Sequence, residues 1–255
     1  MIKLDNISFS YHKTQILYSV STEFAPGLLY GIIGPNGCGK TTLIRILAGL
    51  NYPSNGSVSL DDKTYNSFSK RDLAKSISLM PQIRRIPEMS VCDFVSCGRY
   101  PYLDFTKHMS ESDNRAVETA LRKTDTISFA HRKLSELSGG ERQRVYLAML
   151  LAQDTKYILL DEPSSFLDIA NEFSLMELLT ALKNEGKCVI AVMHELSLAL
   201  KYCDKILVME NGRLAEVNTP ENTLNVINRV FNIKCEKVKT ESENFEYVCT
   251  PNNAL

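Results

Sequence analysis

Leu28-Leu29-Tyr30-Gly31-Ile32-Ile33 runs directly into Gly34-Pro35-Asn36-Gly37-Cys38-Gly39-Lys40-Thr41, and the apolar stretch Leu43 to Leu50 follows. The middle segment fits G-x-x-x-x-G-K-[ST] in the setting where that pattern has a mechanism, after a strand and before a helix. Its glycines let the backbone curl so that successive N–H groups of Gly34, Pro35's neighbours, Asn36, Gly37, Cys38 and Gly39 face phosphate oxygens. The following helix adds partial positive charge at its N-terminus. Lys40 is expected to reach the β- and γ-phosphates. Thr41 is expected to place its hydroxyl on Mg²⁺, a hard cation that takes oxygen ligands, and Thr42 to contact the α-phosphate. Cys38 lies beside Lys40 and near a helix N-terminus, two influences that lower a thiol pKa. Alkylation there should inactivate the protein and bound nucleotide should slow it, unless the cysteine is only a small residue that the loop accepts.

Two more apolar runs end in groups suited to the same chemistry. Tyr157-Ile158-Leu159-Leu160 ends in Asp161-Glu162-Pro163, and Cys188-Val189-Ile190-Ala191-Val192-Met193 ends in His194. Asp161 at a strand exit can hold Mg²⁺, directly or through water, and Glu162 beside it can polarise or deprotonate an attacking water. Parallel strands present their C-terminal ends together, which brings His194 to the same edge, within reach of a γ-phosphate. His12, His108 and His131 lie in polar segments without such placement. These residues specify a P-loop NTPase.

The three runs lack strict alternation and are bounded by turn signals, as strands buried on both faces of a mostly parallel sheet are. Glu172 to Glu185 carries Leu175, Leu178, Leu179 and Leu182 at helical spacing and stops at Gly186, so a helix joins the last two strands. From about Pro87 to Gln153 helical spacing dominates, as in Val145, Ala148, Met149 and Ala152, which predicts a helical subdomain inserted in the core. The segments around Ile7-Ser8-Phe9-Ser10-Tyr11 and Ser57-Val58-Ser59-Leu60-Asp61-Asp62 are short and partly alternating. Asn211-Gly212 is a hairpin turn signal. The fold class is therefore α/β, with an antiparallel β subdomain added to the mostly parallel sheet. The main domain is expected over 1–218 with its helical insertion at about 87–153, and a C-terminal extension over 219–255. In that extension Pro220 to Phe231 reads as a short helix and the rest as polar sequence, hairpin-like in places.

Bulk composition excludes several classes. A chain of 255 residues with 44% hydrophobic side chains can fill one large core. A net charge of −1, with both signs interspersed, offers no footprint for nucleic acid. Seven cysteines form an odd set without a Cys-x-x-Cys pair, which predicts a reducing compartment and neither a disulfide framework nor a zinc site. The N-terminus Met1 to Lys13 lacks a secretory pattern, and no run approaches the roughly 20 apolar residues that span a bilayer. A membrane role would then require a partner.

Leu137-Ser138-Gly139-Gly140-Glu141-Arg142-Gln143-Arg144 resembles the LSGGQ signature of ABC ATPases, and it stands about twenty residues before Asp161, as in that family. Gln82 in Met80-Pro81-Gln82, the segment Ser164 to Asp168, and His194 resemble the family's Q-loop, D-loop and switch histidine. The resemblance covers about Ile2 to Val217. It implies that Gln82 contacts Mg²⁺ and takes part in catalysis, and that Tyr11 stacks on adenine. A tyrosine ending an edge strand also has a plain packing role. It implies that each ATP lies between the phosphate loop of one subunit and Ser138, Gly139 and Gly140 of a second copy, paired head to tail.

Cys97-Gly98-Arg99-Tyr100-Pro101-Tyr102, the run Asp161 to Ala170, and Arg229-Val230-Phe231-Asn232-Ile233 are similar to importer ATPases for ferric siderophores, haem and cobalamin. ATP and Mg²⁺ as cofactors, two transmembrane permease subunits, an external substrate-binding protein acting through them, and a peripheral place on the cytoplasmic face of the membrane follow from that resemblance. A soluble ABC ATPase acting on a ribosome, DNA or a protein complex is the alternative outside transport. Glu141, Glu195 and Ser164-Ser165 stand where glutamine, aspartate and threonines are usual, and these departures leave the catalytic roles intact.

Overall fold

Strands that are apolar on both faces need cover on both sides, and the computed structural model, which describes residues 1–82, 86–103, 108–165, 167–239 and 245–252, supplies it. The chain opens with β1 (Ile2–Tyr11), β2 (Thr14–Phe24), β3 (Leu29–Ile33) and α1 (Lys40–Leu47). Next come β4 (Asn55–Leu60), β5 (Lys63–Thr64), α2 (Lys70–Ser76) and β6 (Ile77–Met80). Three helices follow, α3 (Val91–Ser96), α4 (Glu111–Lys123) and α5 (Gly139–Ala152). The α/β pattern resumes with β7 (Tyr157–Asp161), α6 (Ile169–Asn184), β8 (Cys188–Val192), α7 (Leu196–Tyr202), β9 (Lys205–Glu210) and β10 (Arg213–Asn218). It closes with α8 (Pro220–Phe231), β11 (Ile233–Lys239) and β12 (Phe245–Pro251).

The central sheet has six strands in the order β10-β9-β3-β8-β7-β6. β6, β7, β8, β3 and β9 run parallel, and β10 is joined antiparallel to β9 by Asn211-Gly212, both with positive φ as a type I′ turn requires. Period-two alternation is present but hidden, because both faces are apolar. Tyr30 and Ile32, Tyr157 and Leu159, and Cys188, Ile190 and Val192 face one core with α1. Leu29 and Ile33, Ile158 and Leu160, and Val189 and Ala191 face the other, under α6, α7 and α8. The first core is closed by a four-stranded antiparallel sheet, β2-β1-β4-β5.

α3, α4 and α5 build a core of their own from residues such as Val91, Val95, Val117, Leu121, Leu134 and Val145. Within it Arg99, buried, donates from Nε to Asp113 Oδ1 at 2.9 Å and from Nη1 to the Ala152 carbonyl at 2.8 Å, and its guanidinium lies 3.9 Å from the Tyr102 ring centroid. Tyr102 Oη donates to the Gln153 carbonyl at 2.9 Å, and Gln153 Nε2 donates to Ala74 and Ile77 carbonyls at 2.6 and 3.1 Å. The helical segment is thereby tied to the start of β6, the strand that leads to Gln82.

Two expectations need correction. The helix expected from Glu172 starts at Ile169, because Asp168 Oδ1 accepts from the Asn171 N–H at 2.8 Å and caps it earlier than the leucine spacing shows. The expectation that the cysteines form no disulfide also fails. Cys235 and Cys249 stand directly opposite one another in the β11–β12 ribbon and are bonded, while Cys38, Cys92, Cys97, Cys188 and Cys203 are free. An antiparallel register joins residues 14 apart, a pairing that no short motif announces. Among the described residues no helix is long and apolar enough to cross a membrane. Phe166, in the expected D-loop, lies outside the described residues.

Candidate functional site

The C-terminal ends of β3, β7, β8 and β6 lead respectively into Gly34, Glu162, Met193-His194 and Pro81-Gln82, so the strand order places all four groups along one edge of the sheet. The loop from Gly34 to Gly39 returns into α1 through Gly39, the N-cap residue, at φ +103°. A side chain at Gly39 would press on Leu17, and one at Gly34, φ +156°, would collide with the Met209 carbonyl. Both positions therefore demand glycine. Lys40 is buried, and its Nζ donates to the Gly34 and Pro35 carbonyls at 2.7 and 2.9 Å.

Thr41 Oγ1 donates to Asp161 Oδ1 at 3.2 Å, bringing together the hydroxyl and carboxylate that the sequence assigns to a metal. Burial pushes the Asp161 carboxyl above the usual carboxylate range. The Thr41 bond acts against this shift and the Glu162 charge adds to it. A cation beside Asp161 would favour its ionised form, so the oxygen set fits Mg²⁺. Gln82 and Arg45 share with this pair a cleft of about 240 Å³.

Glu162 is the centre of the cluster. Its backbone is left-handed, φ +53°, a conformation uncommon for a residue with a side chain and concentrated at functional sites. His194 Nε2 lies 2.6 Å from its Oε1, Gln82 Nε2 donates to its Oε2 at 2.5 Å, and Ser165 Oγ reaches Oε2 at 3.4 Å. The Glu162 side chain is 14% exposed and that of His194 43%, so the carboxylate is gripped yet the site stays open. Ser165, three residues after Glu162 in the D-loop segment, stands out in the sequence only as a departure from the usual threonine and is given no role there.

Cys38 departs from expectation. Its thiol is buried against Gly34, and burial raises its pKa, outweighing Lys40, whose Nζ is 3.9 Å from Sγ. Maleimide should therefore label Cys38 more slowly at pH 7 than an unfolded-chain cysteine. Peptide mass spectrometry against time checks this, and label uptake at the unfolded rate would contradict it.

Ser138 caps α5 reciprocally with Glu141: its backbone N–H donates to Glu141 Oε2 at 2.7 Å, and its Oγ accepts from the Glu141 N–H at 3.3 Å. Hydrogen bonding from Ser138, first from its backbone N–H and then from its hydroxyl, holds the Glu141 carboxyl below its ordinary range. Nothing crowds a side chain at Gly139, and Asn171 is the nearest group at Gly140. Among the described residues, none of the hydrogen bonds of Ser138, Gly139 or Gly140 reaches the loop from Gly34 to Thr42. Tyr11, at the end of β1, is 43% exposed and meets Phe9 edge to face at 4.8 Å.

A phosphate-loop motif on a parallel sheet, with an acidic pair, a glutamine and a histidine at neighbouring strand ends, defines a nucleotide hydrolase of the P-loop class. The chain belongs to the ABC transporter family, which matches residues 17–165. It is 36% identical over 239 residues to the petrobactin import ATP-binding protein FpuD of Bacillus anthracis, covering 92% of this chain and 88% of that protein. It is 37% identical over 236 residues to the achromobactin transport ATP-binding protein CbrD of Dickeya dadantii, covering 91% and 88%. Among solved structures, an inward-facing ABC transporter described as metal-chelate type superimposes with a TM-score of 0.85 at 25% identity, over 100% of this chain and 99% of that one. A dimeric bacterial ABC transporter cassette does so with 0.77 at 27% identity, over 86% and 99%. The chain is accordingly an ABC-type ATPase.

Proposed function

We propose that this ATPase powers an importer of iron–siderophore complexes, working as a head-to-tail pair beneath two transmembrane permease subunits that an external binding protein supplies. The observation that carries the hydrolytic part is the grip of His194 and Gln82 on the Glu162 carboxylate beside Thr41 and Asp161. In this reading the backbone of Gly34 to Gly39 cradles the phosphates, Lys40 exchanges its two carbonyl partners for β- and γ-oxygens, and Thr42 contacts the α-phosphate. Thr41, Asp161 and Gln82 would hold Mg²⁺, which when bound would supply positive charge beside the phosphates. Glu162 takes the proton of the attacking water, and His194 fixes the carboxylate and contacts the γ-phosphate.

A second copy completes the site in this reading, because among the described residues no hydrogen bond of Ser138, Gly139 or Gly140 reaches the phosphate loop of its own chain, and a dimeric cassette is among the similar structures. Head-to-tail pairing would bring Ser138, Gly139 and Gly140 of one copy to the nucleotide of the other, with the α5 N-terminus offering N–H groups to its phosphates. Membership of a transporter family, without a membrane-crossing helix among the described residues, supports permease partners and a peripheral place on the cytoplasmic face. The siderophore assignment rests on relatives such as FpuD and CbrD; the manganese transport protein MntB of Halalkalibacterium halodurans, 35% identical over 229 residues, marks the competing cargo.

Lys40→Ala in the native cell is the test. Removing the buried ammonium should stop uptake of radiolabelled ferric siderophore and leave manganese uptake intact. Loss of manganese uptake with siderophore uptake unchanged would overturn the cargo assignment.

A further inference from the structure

The segment between α1 and β4 carries a residue that no motif singles out. Asn51 Nδ2 donates to the phenolic oxygen of Tyr11 at 2.9 Å. We propose that Asn51 is a positioning residue for the adenine site, holding the Tyr11 ring as a platform for the purine. The proposal rests on the reading of Tyr11 as the adenine-stacking side chain.

The geometry supports a fixed ring. Phe9 meets Tyr11 with ring planes 84° apart, an edge-to-face contact that steadies the ring and leaves a face free, and the side chain is 43% exposed. Asn51 is itself anchored from both directions. Its N–H and that of Leu50 donate to the Arg45 carbonyl, at 3.2 and 2.9 Å, which fixes it to the end of the phosphate-loop helix α1. Three residues on, Ser54 N–H donates to the Ser8 carbonyl at 2.8 Å and Ser54 Oγ accepts from Ser10 N–H at 3.3 Å, which fixes the same loop to β1. Asn51 therefore links the aromatic platform, carried by the antiparallel sheet, to the helix whose N-terminus carries the phosphate cradle. Adenine and triphosphate belong to one ligand, so a fixed spacing between their two grips lowers the ordering that binding must impose.

A lost hydrogen bond of ordinary strength changes affinity about fivefold. Calorimetric titration of Asn51→Ala with ATP, without Mg²⁺, is expected to show ATP binding weakened by about that factor and inorganic tripolyphosphate, which has no base, unchanged within about twofold. In steady-state assays KM for ATP should rise with kcat unchanged. Tyr11→Phe, which removes the acceptor and keeps the ring, should weaken ATP similarly, and the double variant should be no weaker than either single one.

Equal weakening of tripolyphosphate, or losses that multiply in the double variant, would overturn the proposal by showing a general or independent effect. Unchanged ATP affinity in Asn51→Ala would overturn it too. Tyr11→Ala separates the two levels. If it costs ATP affinity while Asn51→Ala does not, only the positioning role falls; if it costs nothing, the adenine reading falls and the proposal with it.

Discussion

Glu162→Gln protein is expected to turn over ATP about a thousandfold more slowly than the native chain, the middle of the range by which a positioned general base accelerates a reaction. The substitution is nearly isosteric and imposes no new demand on the left-handed backbone at this position. It removes the property that the proposed function asks of Glu162, since an amide cannot take a proton from water. The surrounding contacts should largely persist: the amide oxygen can still accept from Gln82 or His194, which now donate to separate carboxylate oxygens. ATP binding should consequently survive while hydrolysis stops, and the nucleotide-closed pair should accumulate. Light scattering in the presence of ATP should report twice the monomer mass. A monomer under those conditions would sink the head-to-tail arrangement, whereas turnover within tenfold of the native rate would remove Glu162 from the role of base.

Most groups of the candidate hydrolytic site are legible because they are signalled locally. Gly34 to Thr41 declares itself by spacing and by the strand before it, and Asp161, Glu162 and His194 are placed by ending apolar runs that must be adjacent parallel strands. Gln82 was legible only through resemblance, because its strand β6 is four residues long and too short for periodicity to register. Contacts made across the sequence were not legible. Nothing near Asn51 foretells the Tyr11 oxygen 40 positions away, and nothing near Cys235 foretells Cys249, since each depends on a register that the chain adopts only when folded. Cys38 shows a third limit. Its charged neighbours are visible in the sequence, but the burial that outweighs them is a property of the packed loop.

Arg99→Leu is expected to destabilise the protein by about 3–5 kcal/mol, the usual consequence of removing one partner of a buried ion pair. Arg99 and Asp113 are each 9% exposed at the side chain, so the aspartate left behind would keep its charge in a poorly solvated place. The loss includes the Arg99 bond to the Ala152 carbonyl and the guanidinium face against Tyr102. Hydrogen bonds from Ser110, and then the Arg99 bond and charge, hold the Asp113 carboxyl below the ordinary carboxylate range. A lowered folded-state pKa contributes stability above the unfolded value of about 4 that disappears as pH falls through the folded value. The native chain should lose this contribution on acidification below about pH 4, and the variant should have less to lose, so the gap between them should narrow from pH 7 to pH 3. Urea unfolding at the two pH values measures both effects. A gap below about 1 kcal/mol at pH 7, or one that widens in acid, would rule out the buried pair as the cause. Arg99→Leu combined with Asp113→Leu should recover much of the loss, because no charge is then stranded. The functional consequence runs along the same contacts: Arg99 packs on Tyr102, Tyr102 bonds Gln153, and Gln153 bonds the Ile77 carbonyl at the start of the strand ending before Gln82. A single variant held folded at low temperature should therefore show its ATPase defect as misplacement of Gln82 on the Glu162 carboxylate, and the double variant, lacking the same Tyr102 contact, should recover stability without recovering rate.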